Sequence, residues 1–406
     1  MKHLFKVLTL FSVVSVVLMV SSCPHKNEPE PETAPTPTPT PSTTISVTGV
    51  KLNYTQIYRE QGESFILTAT VEPTNASNKK VTWTTSNGSI ATVDNGTVTM
   101  TGSTVWESAT ITCTTEDGGK TATCTVTVIQ KPTASEADAN GFVTISAGSM
   151  PLNSDGSYHV TLTKAYMICD HEVTQKEWED IMGSNPSSFS SNPASDEVQE
   201  NRPVENITWY EAIAYCNKLS IKDGLQPCYS VTVDGTEVDW ANLKYDNIPT
   251  SNNVEWNVAV CDFSKTGYRL PTEAEWEIAA RGGLTGDVYA GTDDVNKLGD
   301  YAWYFANSED KTHEVKKKQS NGYGLYDMSG NVWEWCWDWQ GSYPASATDP
   351  RGASSGSYRV LRGGYWGSGA SGCRASFRFN SPYEYVIISP RDRYYGLGFR
   401  LVRSSS

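Results

Sequence analysis

Tryptophan is spread so unevenly along this chain that a single core is a poor explanation for it. Of 13 Trp in 406 residues, only Trp83 and Trp106 precede residue 139. Indoles dominate the buried area wherever they cluster. The last two-thirds of the chain must therefore hold an aromatic-rich core that the first third lacks. A chain of this length also exceeds what one core comfortably organises. Two globular units of different type are expected.

A leader precedes both units. Lys2 and Lys6 give a positive start, and Val7 to Val20 is an apolar run. That run falls short of the ~20 residues of a membrane span and fits a secretory core segment. The sequence Val20-Ser21-Ser22-Cys23 then resembles the bacterial lipoprotein lipobox. The resemblance implies a signal peptide over residues 1–22 and a lipidated Cys23; an ordinary signal peptide is the alternative. Residues 23–44 are rich in Pro and Thr, which makes an extended spacer. No second apolar run follows, so Cys23 would be the sole anchor. The expected location is the cell envelope, lipid-anchored, at the outer membrane or cell surface.

Residues 45–130 alternate Val, Ile, Thr and Tyr with polar residues, between Asn, Gly and Asp turns. That pattern reads as a small all-β sandwich. VTWTTSNGSIATVDNGTVT followed by ATITCTTEDGGKTATCTVTV resembles the bacterial Ig-like domain of group 2. A two-residue loop at Gly118-Gly119 would set Cys113 opposite Cys124, as a cross-strand disulfide or as two buried thiols.

Residues 139–405 form the aromatic-rich unit. Three Thr-x-x-Glu signatures open helical runs, at Thr174 with Glu177, Thr208 with Glu211 and Thr272 with Glu275. In each, the hydroxyl accepts a free backbone N–H while the Glu reaches back to the cap. Between and after them the chain is Gly-rich, with short strand-like pieces. A loop-rich α+β domain is expected.

The same region carries GFVTISAGSM (141–150), HEVTQ (171–175), RPVENITW (202–209) and GYRLPTEAEWE (267–277). NGYGLYDMSGNVWEW (321–335), RVLRGGYW (359–366) and GLGFR (396–400) follow in order. Together they resemble the formylglycine-generating enzyme, or sulfatase-modifying factor, domain, whose fold is a loop-rich α+β unit related to C-type lectins. The resemblance implies an oxidase that turns a sulfatase Cys into formylglycine, with two Cys holding Cu(I). Two thiolates suit that soft ion, and one cannot replace the pair. At the two positions concerned stand Ser368 and Cys373, and a shorter-loop alignment leaves Cys373 at neither. The catalytic pair is degenerate, so copper is not expected.

The resemblance also implies calcium, held by Asp327, Glu334 and the backbone of Gly330 and Val332. Oxygen donors of this kind suit a hard cation. Glu334 alternatively caps a strand hydrogen-bond network. Trp333, Trp335, Trp337 and Trp339 would share one face of a strand, as core or as a sugar-stacking stripe. Trp366, Arg374 and Arg378 outline a possible binding groove. Further disulfide candidates are Cys228 with Cys261, Cys336 with Cys373 and, by elimination, Cys169 with Cys216. Of His159, His171 and His313, none forms a helical His pair, so an iron site is not expected.

Lys plus Arg number 32 against 46 Asp plus Glu, a formal charge of −14. Such a chain repels phosphate backbones, which argues against nucleic acid as a partner. The sequence thus reads as a lipid-anchored envelope protein with a non-catalytic domain that binds a protein or glycan, or serves in envelope assembly. A formylglycine-generating oxidase and an adhesin acting through the Ig-like module are the alternatives.

Overall fold

The computed structural model describes residues 43–286, 288–379 and 389–405. The leader, Cys23 and most of the spacer lie outside the described residues. The chain divides into the units Met1–Thr44 and Ile45–Ser406, and the second unit holds both folded parts.

Its N-terminal part is a sandwich. One sheet places Gln56–Arg59, Thr121–Val128, Ser108–Thr115 and Val81–Thr85 side by side, and another holds Ser64–Ile66, Thr97–Met100 and Ala91–Asp94. Period-2 alternation turns Ala109, Ile111, Val126 and Val128 inward, where Leu67, Ile90, Val98 and Met100 meet them. The last hairpin corrects the expected register. Thr115 donates its backbone N–H to Lys120 O, so the turn is Glu116–Gly119 and not the Gly pair alone. Cys124 therefore faces Ile111, and Cys113 faces Ala122. Both sulfurs are free thiols, in different apolar clusters.

The second part begins at Phe142–Ile145. This strand pairs with Tyr166–Cys169, which pairs in turn with the C-terminal strand Val402–Ser404, so the two ends of the domain meet in one sheet. The three expected helices are Gln175–Met182, Trp209–Lys222 and Glu273–Arg281. Each carries a complete capping box, from Thr174, Thr208 and Thr272. Each box satisfies donors that a helix start otherwise leaves open.

Trp333–Trp339 is a strand between Arg359–Arg362 and Leu397–Gly398. Trp333 and Trp335 are buried, and Trp337 packs on Trp209 and Tyr229 with both centroid separations 5.4 Å. Arg359 lies over Trp339 at 3.6 Å. The stripe is core. Glu334, Cys336 and Asp338, on the opposite face, are buried as well.

The two parts are packed together. Trp106 stacks on His159 with centroids 4.3 Å apart and planes 5° from parallel, and its Nε1 donates to Thr161 Oγ1 at 3.0 Å. Tyr58 OH donates to Gly156 O at 3.0 Å. Gln130 bridges to Ser149, and Tyr323 OH donates to Pro132 O.

Candidate functional site

Most of the charged motif residues are spent on buried ion pairs. Arg269 grips Glu275 through two bonds of 2.6 and 2.7 Å. Glu277 receives both Arg281 and Arg362. Glu334 receives Nε and Nη2 of Arg400, each at 2.7 Å, and Trp276 Nε1 at 2.7 Å. Planar guanidinium forks match carboxylates in this way, and full pairing is what makes their burial tolerable.

This pairing corrects the expected calcium set. Both Glu334 oxygens are engaged, so Glu334 supports the strand network and is not free to ligate a cation. Asp327 differs. It is buried at a backbone φ of 56°, with Oδ2 accepting from Lys316 N at 2.8 Å and Oδ1 without a hydrogen-bond partner. Burial pushes its carboxyl up to about 6. Glu172, fully buried nearby, is held well above the usual carboxylate range by burial and by the charges of Asp327 and Glu334. An orphaned carboxylate oxygen beside a second buried acid is a donor that a hard cation would suit, and Gly330 and Val332 follow Asp327 closely in the chain. Glu334 does not fit that set.

Ser368 and Cys373 lie in one tight loop. Ser368 Oγ accepts from Tyr365 N at 3.1 Å, and Cys373 O accepts from Ser329 Oγ at 2.7 Å. Gly364, at φ 79°, makes room for the sulfur: a Cβ there would sit 3.1 Å from Cys373 Sγ and 2.8 Å from Gly372 O. Cys373 has no exposure, and burial pushes its thiol up to about 12.

The expected groove is not one surface. Trp366 is buried against Phe189 and Tyr395. Arg374 lies over the Tyr289 ring. Arg378 is elsewhere, paired with Glu273 at 2.6 Å and lying over Tyr343.

The remaining cysteine pairings are also corrected, because all eight described cysteines carry free thiols. Tyr229, not Cys228, stands opposite Cys261, which turns Cys228 to the other face of that ladder. Cys336 and Cys373 occupy separate clusters. Burial, with Cys228 and Cys261 nearby, holds Cys216 well above an ordinary thiol, whereas Cys169 sits beside His171.

Sequence reasoning missed an aromatic platform. The Tyr394 and Tyr395 rings lie with centroids 4.2 Å apart and planes tilted by 37°, and Tyr394 donates its OH to Tyr365 OH at 3.2 Å. Tyr395 packs 5.5 Å from Trp366, whose Nε1 donates to Tyr395 O at 3.3 Å. Tyr365 extends the set towards Trp333, and Phe189 closes it from the loop after the first helix. Tyr395 is 41% exposed, which is high for so large a ring in a packed set. The sequence signal was the adjacent pair Tyr394-Tyr395 just before the GLGFR motif.

Fold and site together define a class: an Ig-like sandwich followed by a loop-rich α+β unit braced by buried Arg–Glu pairs. Residues 128–405 match the sulfatase-modifying factor enzyme 1-like domain, and residues 46–126 match the bacterial Ig-like domain of group 2. The chain belongs to the sulfatase-modifying factor enzyme 1-like family. Chaperone protein LppX of Paenibacillus barcinonensis is 36% identical over 265 residues, spanning 61% of this chain and 82% of that protein. Formylglycine-generating enzyme of Streptomyces coelicolor is 45% identical over 126 residues, which is 28% of this chain and 40% of that enzyme. Among solved structures, Treponema denticola variable protein 1 is similar with a TM-score of 0.61 and 48% identity. That match covers 68% of this chain and 99% of the other.

Proposed function

We propose that this chain is a lipid-anchored cell-envelope protein whose C-terminal domain binds a protein or glycan at the cell surface and does not oxidise cysteine. The observation that carries the reading is Cys373, wholly buried with its thiol pushed up to about 12, beside Ser368 where a second thiol would be needed. Thiolate is the form that ligates metal, and a hydroxyl is a poor ligand for soft copper. The platform of Tyr365, Tyr394 and Tyr395 supports the binding role. Tyrosine offers large contact area and a polar tip at low conformational cost. The lipobox-like Cys23 and the Pro/Thr spacer support the anchoring. Calcium at Asp327, with the carbonyls of Gly330 and Val332, would serve stability rather than chemistry.

The test is calorimetric titration of the purified chain against oligosaccharides and surface-protein peptides, with a Tyr394→Ala/Tyr395→Ala variant alongside. Binding to one class that the folded variant loses by about tenfold or more supports the reading. Equal binding by the variant, or turnover of a sulfatase-type peptide, contradicts it.

A further inference from the structure

Cys169, Asp170 and His171 follow one another where the strand Tyr166–Cys169 ends, and their side chains converge. His171 Nδ1 lies 2.5 Å from Asp170 Oδ1 and 3.5 Å from Cys169 Sγ. One nitrogen thus faces a carboxylate oxygen and a sulfur at the same time. Among the described residues, this is the one group of three or more His, Cys, Asp or Glu side chains whose ligand atoms all lie within 4.8 Å of one another. Its three donors are other than Ser368, Cys373 and Asp327, although Lys316 joins it to Asp327, with N on Asp327 Oδ2 and Nζ on Asp170 Oδ2.

We propose that Cys169 Sγ, Asp170 Oδ1 and His171 Nδ1 hold a divalent transition metal of the zinc type, with a further coordination position open to a cavity. The donor chemistry selects the ion. Thiolate, imidazole and carboxylate together suit zinc, whereas calcium and magnesium take oxygen alone. The groups behind the donors are those a metal site needs. His171 Nε2 is 3.3 Å from Glu177 Oε1, so its N–H donates there and leaves Nδ1 for the metal. Glu177 is itself fixed, with Oε2 accepting from both N and Oγ1 of Thr174. Lys316 Nζ holds the other Asp170 oxygen, Oδ2, at 2.7 Å and leaves Oδ1 turned to His171.

The backbone is arranged for the same purpose. Cys169 is tied at both its groups, N to Leu401 O at 2.9 Å and O to Arg400 Nη1 at 3.2 Å. Asp170 N donates to Gly141 O at 2.7 Å. Gly141 has φ 78°, and a Cβ on it would come within 3.1 Å of Asp170 Oδ1. A glycine at that position keeps the carboxylate in place.

His171 and Cys169 line a cavity of about 830 Å³, together with Glu177, Lys316, Tyr268 and Arg403. Three protein donors and an open side are the arrangement of a zinc site that accepts an outside ligand. His171 is 15% exposed at this edge, which gives the ring room to turn as its 2.5 Å approach to Asp170 widens around an ion. The metal takes the place of any proton on Nδ1, and the Cys169 thiol also gives up its proton.

The test uses the untagged chain, reduced and freed of metal, and titrated with Co²⁺ and then Zn²⁺. The expected result is one equivalent of Co²⁺ bound with a sulfur-to-cobalt charge-transfer band, which Zn²⁺ abolishes. Cys169→Ser should lose the band, while Cys216→Ser should keep it. Glu177→Gln preserves the helix cap, since Gln serves there too, and should weaken binding by roughly tenfold. Circular dichroism checks that each variant folds. If Cys169→Ser is unfolded, loss of the band in folded His171→Gln carries the same decision. No band in the wild-type chain, or a band that survives in Cys169→Ser or His171→Gln, overturns the proposal.

Discussion

Glu334 and Arg400 face each other as a bidentate pair with both N–O distances 2.7 Å and neither side chain exposed. The pair joins the central Trp-rich strand to the C-terminal GLGFR segment, and Trp276 Nε1 ties the helix Glu273–Arg281 to the same carboxylate. Removing one partner leaves the other charged and buried, which costs about 3–5 kcal/mol. Arg400→Met should therefore unfold at lower denaturant by an amount in that range. The double variant Glu334→Gln/Arg400→Met should recover much of the loss. Denaturant unfolding checks this, and a neutral Arg400→Met would show that the pair does not brace the domain.

Asp327 makes stability depend on pH and, on the proposed reading, on calcium. Its carboxyl is raised by burial to about 6, above its unfolded value. Its contribution to stability is full below about pH 4 and is lost as pH rises through about 6. Calcium on Oδ1 would offset that loss at neutral pH, by ~2.7 kcal/mol when the free ion is a hundred times Kd. Chelation should lower the thermal midpoint at pH 7 and leave it unchanged near pH 4. Asp327→Asn should remove the chelator effect at pH 7. A midpoint at pH 7 that ignores chelator in the wild-type chain would exclude the cation.

His159 links the sandwich to the second domain. Burial holds its imidazole below the ordinary value, so the neutral ring is the one stacked on Trp106. A lowered His value means that the contribution is present above about pH 6.5 and is lost as pH falls through the folded value. Trp106→Ala should cost ~1 kcal/mol from the lost ring pair and flatten that acid-side loss. Scanning calorimetry of both proteins between pH 5 and pH 8 is the measurement; identical pH profiles would contradict the coupling.

The described cysteines should behave as buried thiols. Burial raises Cys124 and Cys228 to about 11 and Cys373 to about 12. Alkylation of the unreduced native chain should thus be slow at these positions, and alkylation in denaturant should reach all eight without reductant. Tryptic peptides still joined by a disulfide would contradict the free-thiol arrangement.

What the sequence disclosed was local or periodic. The three capping boxes and the Trp-rich strand follow from spacing alone, because a helix start and a strand face are decided within a few residues. The hairpin register depended on whether the turn held two residues or four, and that error displaced Cys113 from Cys124. Glu334 read as a metal ligand because its partner Arg400 is distant in sequence. Trp366, Arg374 and Arg378 looked like one groove because they are close along the chain, yet Arg378 turns away to Glu273. Cys169 and His171 were visible as residues but not as a cluster, since the Nδ1 approach depends on side-chain rotation.

On the proposed reading, this family member keeps the scaffold without the copper chemistry. Incubation of the purified, copper-loaded chain with a peptide bearing a Cys-x-Pro-x-Arg motif, followed over time by mass spectrometry, tests it most directly. The cysteine mass is expected to stay unchanged, since Ser368 offers no thiolate and Cys373 is buried and protonated. Time- and copper-dependent conversion of that cysteine to formylglycine, abolished by Cys373→Ser, would contradict it.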